Sequence, residues 1–192
     1  IFENLFPTGH PYHHSTIGSM ADLNSASLDD VKKWFTDNYG PNNAVLVLAG
    51  DVDVATAKAK VQEWFGDIPR GPEVTAPATS VPTLPAPLAK EVRDLIPTTR
   101  IYRMWAIPGL NDPEAVPLQM AMSVLGGLSS SRLDNALVRK EPVAVSVSAF
   151  AQPFEDGGIL LVQGDVKPGV GPAVDAKRLD EEIASFLASG RT

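Results

Sequence analysis

Three histidines fall within five positions of one short stretch, Gly9 to Ser15, which reads GHPYHHS. They are all the histidines of the chain, and there is no cysteine, so a metal site built on imidazole would have to start here. His10 to His14 has the frame of the inverted zinc motif H-x-x-E-H, with His13 where the general-base glutamate would stand. Such a pair works from a helix, where positions i and i+4 share a face. Pro11 argues against that helix, because the residue before a proline is pushed out of the α region. No acidic residue elsewhere is marked by spacing as a third ligand. The stretch reads as a polar loop with a proline turn, and no metal ligand is assigned to it.

Other chemistry-bearing residues are scattered. SVLGGLSSSRL pairs two glycines with three serines ahead of a helix and could cradle an anion on backbone N–H groups, but it lacks the lysine and spacing of a P-loop and reads as an interhelical turn. Ser146 and Ser148 alternate within a strand and have no histidine near them in sequence. Trp34 and Trp64 sit at helical spacing with other apolar residues, so both are expected in a core. Arg139, Lys140 and Glu141 close a helix, where cations suit the dipole. No nucleophile, base and orienting group come together, so no catalytic residue is assigned.

Composition narrows the partners. With 16 basic and 23 acidic residues, the net charge of −7 repels phosphate backbones, which excludes a nucleic-acid footprint. No apolar run approaches the roughly 18 residues of a membrane-spanning helix. The absence of cysteine fits several compartments; a bacterial cell-envelope compartment is the expectation. The beginning, IFENLFP, reads as the end of a helix, so the expectation is that either targeting information has been removed or the chain starts inside a longer protein.

The elements that would position these residues follow from period and punctuation. SLDDVKKWFTDNY predicts an amphipathic helix with Ser27 and Asp30 as a capping box. AVLVLA, Ala44 to Ala49, predicts a strand covered on both faces. Asp53 caps a second helix ended by Gly66. From Pro69 to Pro87 prolines dominate, which is linker chemistry. Beyond it, strands are expected over Glu91 to Ile96 and Arg100 to Ile107. A helix after Pro113 carries the apolar stripe Val116, Met120, Val124, and a second helix runs over RLDNALVRK. A strand pair follows, Val143 to Phe150 and Gly158 to Gly164, then a last helix from Pro172 to Ser189. The layout is α+β, with mixed or antiparallel sheets and helices packed on one face. The expected boundaries are residues 1–70, a linker at 71–88, and 89–192.

Two segments, taken in order, resemble a known family. GHPYHHSTIGSMADLNSASLDDVKKWFTDNYGPNNAVLVLAGDVD is similar to the latter part of the catalytic repeat of pitrilysin and insulinase type zinc metallopeptidases, the processing-peptidase-like inverzincins. SVLGGLSSSRLDNALVRKEPVAVSVSA resembles the glycine–serine turn, helix and strand of that family's second, non-catalytic repeat. The resemblance implies a duplicated α+β peptidase whose lobes enclose a peptide-binding chamber, with a repeat in the same chain or a homo- or heterodimer partner closing it. It implies zinc in the full-length protein or its partner. None of the family's zinc ligands maps onto this chain, and His10 matches a loop histidine. Arg139 matches an arginine that contacts substrate in active relatives, whereas the accompanying tyrosine position reads Val145. The chain is expected to be inactive alone, as a fragment of a zinc peptidase or as a non-catalytic subunit acting only in peptide or partner binding.

Overall fold

The computed structural model describes residues 1–77 and 79–190. In chain order the elements are α1 (Phe2–Leu5), α2 (Met20–Ser25), α3 (Leu28–Asn38), α4 (Val54–Phe65), β1 (Arg100–Ile107), α5 (Ala115–Met122), β2 (Ala144–Pro153), β3 (Gly158–Val166) and α6 (Pro172–Ser189). Two π-helical segments, Ser123–Gly127 and Asp134–Lys140, stand between α5 and β2. The chain divides into two compact units, one of residues 1–14 with 79–190 and the other of residues 15–77.

The unit of residues 15–77 is helical, and its helices start where local chemistry dictates. Ser27 Oγ accepts from the Asp30 amide at 3.2 Å while Asp30 Oδ2 accepts from the Ser27 amide at 2.9 Å, the reciprocal capping box expected for α3. Asp53 caps α4 by accepting from the Thr56 amide at 2.9 Å. The same bonds hold both carboxyls below the usual range, chiefly through Ser27 for Asp30 and Thr56 for Asp53. Asn42 stitches the start of the proline-rich stretch to the loop after α3, accepting from the Gly71 amide at 2.8 Å and donating to the Pro72 carbonyl at 2.9 Å.

Two expectations fail in this unit. Residues 44–49 are not a strand, and Val45 and Val47 are 91% and 79% exposed. A strand is defined by its ladder, and no other strand among the described residues of this unit offers one. Trp34 and Trp64 are also exposed. Their helices form on caps and periodicity, but the apolar faces carrying them have no covering layer within the unit.

The other unit is built on a three-stranded antiparallel sheet in the order β1-β3-β2. Register sets its faces: Ile101, Gly164 and Val147 align across the strands, as do Arg103, Val162 and Ala149. That face carries the main core, where Val162 and Ala149 meet Met122, Leu125, Leu133, Leu137 and Leu179 from the helical layer. The opposite face is covered at one end by α1 and the loop after it, with Leu5 and Phe6 against Ile159 and with Tyr12, Met104 and Ala106 packed around them. The architecture is α+β with the longer helices on one face, and the strand pair and α6 form where periodicity placed them.

Corrections here have local causes. Residues 91–96 form no strand, and Val92 and Leu95 stand exposed; with no ladder partner an apolar alternation is not enough. Val116 and Met120 point outward, because α5 buries Ala115 and Met122 instead. The expected helix over RLDNALVRK forms as a π-helical segment from Asp134.

Candidate functional site

The loop that holds the histidines is ordered by aromatic packing. Phe6 stacks near His10, with ring centroids 4.7 Å apart, and meets Tyr12 edge-on at 5.6 Å. Tyr12 in turn packs on Phe154 and accepts from the Asp156 amide at 3.2 Å through its hydroxyl. His10 Nδ1 accepts from the Tyr12 amide at 3.0 Å, and His13 Nδ1 donates to the Phe6 carbonyl at 2.7 Å. One ring nitrogen of each is thereby committed to backbone, and His10 Nε2 is buried with no hydrogen-bond partner among the described residues. This arrangement does not fit a zinc ion, which needs several donors converging on one point. Among the described residues no group of three or more His, Asp or Glu side chains could hold a metal.

Arg139 sits in the second π-helical segment and is held at two points. Its Nε donates to Asp134 Oδ2 at 2.6 Å and its Nη2 donates to the Ser129 carbonyl at 2.7 Å. The side chain is 59% exposed, so the guanidinium is fixed in orientation while still facing solvent. Val145, at the start of β2, is exposed as well. Ser146 is a sheet residue that donates to Asp165 Oδ2 at 2.7 Å. Arg100 donates to the other oxygen of Asp165 at 2.6 Å, and this contact first, with Ser146 behind it, holds the Asp165 carboxyl below its usual range.

The feature that sequence reasoning missed is the outer edge of β2. As the last strand of the sheet it has one neighbour, β3, and among the described residues the backbone of 144–152 makes no main-chain bond to anything else. The ten residues AVSVSAFAQP carry no charge, whereas the opposite edge, β1, bears Arg100 and Arg103. Exposed edges in natural sheets are commonly blunted by charge, proline or brevity. None of these protects β2 before Pro153, and its one irregularity is the register shift between Ala144 and Ser146 at its start. Alongside it lies an open cleft of about 360 Å³, walled by Gln119, Ser123, Gly126 and Gly127 on one side and Ser148 to Ala151 on the other. Every wall residue is uncharged. Gly126 makes this approach possible: a Cβ there would stand 2.7 Å from Ala149 Cβ. Arg139 is not among the residues lining the cleft. The signal in the sequence was the uncharged ten-residue run, legible once its place at an edge is known.

Comparison with known proteins adds three kinds of likeness. Residues 25–190 match the family model described as the peptidase M16 inactive domain. The chain is 26% identical over 97% of its length to the zinc protease PqqE of Helicobacter pylori, and 23% identical over 83% of its length to the beta subunit of the mitochondrial-processing peptidase of Lentinula edodes. It covers 42% and 37% of those two proteins respectively, so it spans less than half their length. The crystal structure of a peptidase M16 inactive domain from Pseudomonas fluorescens superposes with a TM-score of 0.71 over 100% of this chain and 46% of the other, at 20% identity.

Proposed function

Because the chain belongs to the peptidase M16 inactive-domain family, we propose that it forms a non-catalytic wall of the peptide chamber in a zinc-dependent peptidase, with the edge of β2 receiving extended substrate. The observation that carries this reading is the open edge itself: ten uncharged residues, no second backbone partner among the described residues, and a neutral cleft beside them. An extended peptide can add to such an edge through main-chain hydrogen bonds, gaining affinity that depends little on its sequence. Peptide hydrolysis in this class needs a metal-activated water, and the histidines of this chain do not supply its site. The zinc belongs, on this reading, to other residues of the full-length protein or to its partner subunit.

Several finer assignments go with it. Residues 1–70 correspond to the end of the catalytic repeat, 71–88 to the linker and 89–192 to most of the second repeat. The exposed apolar residues of α3, α4 and 44–49 support this division for residues 15–70, since they are faces that the rest of a repeat would cover, whereas residues 1–14 pack with 79–190. Arg139, pinned by Asp134 and Ser129, is the substrate-contact residue proposed from its family match. A bacterial cell-envelope location is likewise proposed; no helix among the described residues is long and apolar enough to cross a membrane. A second reading, a subunit that only binds peptide or partner, is favoured by Val145 standing where active relatives carry tyrosine.

Ser148→Asp in the intact protein tests the edge. A charge placed beside an incoming strand should raise KM for an extended peptide while zinc content stays unchanged. An unchanged KM would remove the β2 edge from the proposal.

A further inference from the structure

One ionisable side chain stands without a partner where α6 meets the sheet. Asp175, early in α6, has no exposed surface, and neither of its carboxyl oxygens has a hydrogen-bond partner among the described residues. Its carboxyl lies over Gly164 of β3, close enough that a Cβ built on that glycine would stand 3.2 Å from Asp175 Oδ2. Ile101 and Val147 flank Gly164 across the ladder, and both pack against the core cluster that contains Leu179, one turn further along α6. The seat is apolar on the sheet side, and on the helix side its polar influence is the N-terminus of α6, whose first turn carries Asp175.

Among the described residues, no charged group of the surrounding elements pairs with Asp175. Arg103 of β1 donates from Nε and Nη2 to Asp180 at 2.7 and 2.9 Å. Arg178, on α6 itself, pairs with Glu141, Glu181 and Glu182. Arg139 of the π-helical segment is held by Asp134, and neither Lys140 nor Lys167 pairs with Asp175. Asp165 is adjacent to Gly164 in β3 and so points to the opposite face, where Arg100 and Ser146 hold it.

We propose that Asp175 is a proton-operated latch for α6: with its carboxyl protonated the helix seats on the sheet, and loss of the proton leaves a bare charge in an apolar seat and loosens the first turns. A buried carboxyl without a counter-ion favours its neutral form. Burial first, and the negative charge of Asp165 second, raise the proton affinity of Asp175 above that of an ordinary aspartate. The sign follows from proton linkage. Between the unfolded value near pH 4 and the raised folded one, the folded chain holds the extra proton, so stability falls as pH rises through that window.

Hydrogen–deuterium exchange read by mass spectrometry on the intact protein, wild type against Asp175→Asn, tests the latch at matched points from the unfolded value near pH 4 up to about pH 8. The neutral isostere should slow exchange in α6 relative to wild type at the upper end, and the ratio should shrink toward the lower end. Its full size is about tenfold for each pH unit by which the folded midpoint is raised. A ratio constant across pH, or faster exchange in the variant throughout, overturns the proposal. Should the variant misfold, carbon-detected NMR titration of the Asp175 carboxyl in the wild type decides it. A midpoint above the ordinary aspartate range supports the latch, and one at or below that range overturns it.

Discussion

Gly126 and Gly127 are neighbours at the end of the first π-helical segment, and the structure predicts opposite outcomes when each becomes alanine. At Gly126 the new Cβ would stand 2.7 Å from Ala149 Cβ, 2.8 Å from the Ala149 nitrogen and 3.1 Å from Leu133 Cδ1. Ordinary carbon contacts lie at about 3.5–4.0 Å, so the segment must retreat from β2 by about 1 Å. Overpacking of that kind costs about 1–3 kcal/mol, against a gain of about 0.5–1 kcal/mol from the lost flexibility of glycine. The net expectation for Gly126→Ala is destabilisation by up to about 2.5 kcal/mol. At Gly127 the nearest atoms are Ser123 Cβ at 3.4 Å and the Met122 carbonyl oxygen at 3.6 Å, ordinary contact distances. Gly127→Ala should therefore stabilise by about 0.4–1 kcal/mol through the unfolded state. Chemical denaturation of the two variants beside wild type reads both values. Gly126→Ala should also weaken peptide binding, because it displaces one wall of the cleft. A shared sign for the two substitutions, or a stabilising Gly126→Ala, would refute the close packing of this segment on β2 and the cleft built from it.

Further outcomes follow from the same contacts. Leu137 is fully buried in the main core, so Leu137→Ala should cost about 2–5 kcal/mol, measured as a shift in the denaturation midpoint; a loss below about 1 kcal/mol would contradict its place there. Ser27→Ala removes the capping box of α3 and should cost about 1 kcal/mol of local stability, read as faster amide exchange confined to that helix. Asp165 is held below the usual carboxyl range by Arg100 and Ser146, so its contribution is complete above the unfolded value near pH 4 and lost as pH falls through the folded one. Asp165→Asn should flatten that part of the acid unfolding curve, and an unaltered acid limb would show that the pair with Arg100 adds nothing.

Local signals in the sequence were read correctly where local physics decides the outcome. The Ser27–Asp30 box, the Asp53 cap, the β2–β3 pair and α6 all rest on side chains within a few residues or on a hairpin closed by a short connection. The run at 44–49 and residues 91–96 had the right residue types, but a strand also needs a neighbour, which period and composition do not supply. Trp34 and Trp64 lie on the faces that helical spacing assigns them, yet burial depends on a second layer. The outward turn of Val116 and Met120 reflects a choice between two apolar faces of α5, and no pattern in that helix marks which one meets β2. The histidine loop was legible through Pro11 alone. Its anchoring through Tyr12 on Phe154 and the Asp156 amide links residues far apart in sequence, and the seat of Asp175 over Gly164 depends on how a helix meets a strand.

On the proposed function, this chain shapes a peptide chamber without holding its metal. Zinc content and peptide hydrolysis, measured on the 192-residue chain and on the intact protein side by side, test it most directly. The expected result is no stoichiometric zinc and no hydrolysis for the chain alone, with chelator-sensitive hydrolysis in the intact protein or its complex. One equivalent of tightly bound zinc on the chain alone, lost when His10 and His14 are replaced, would contradict it.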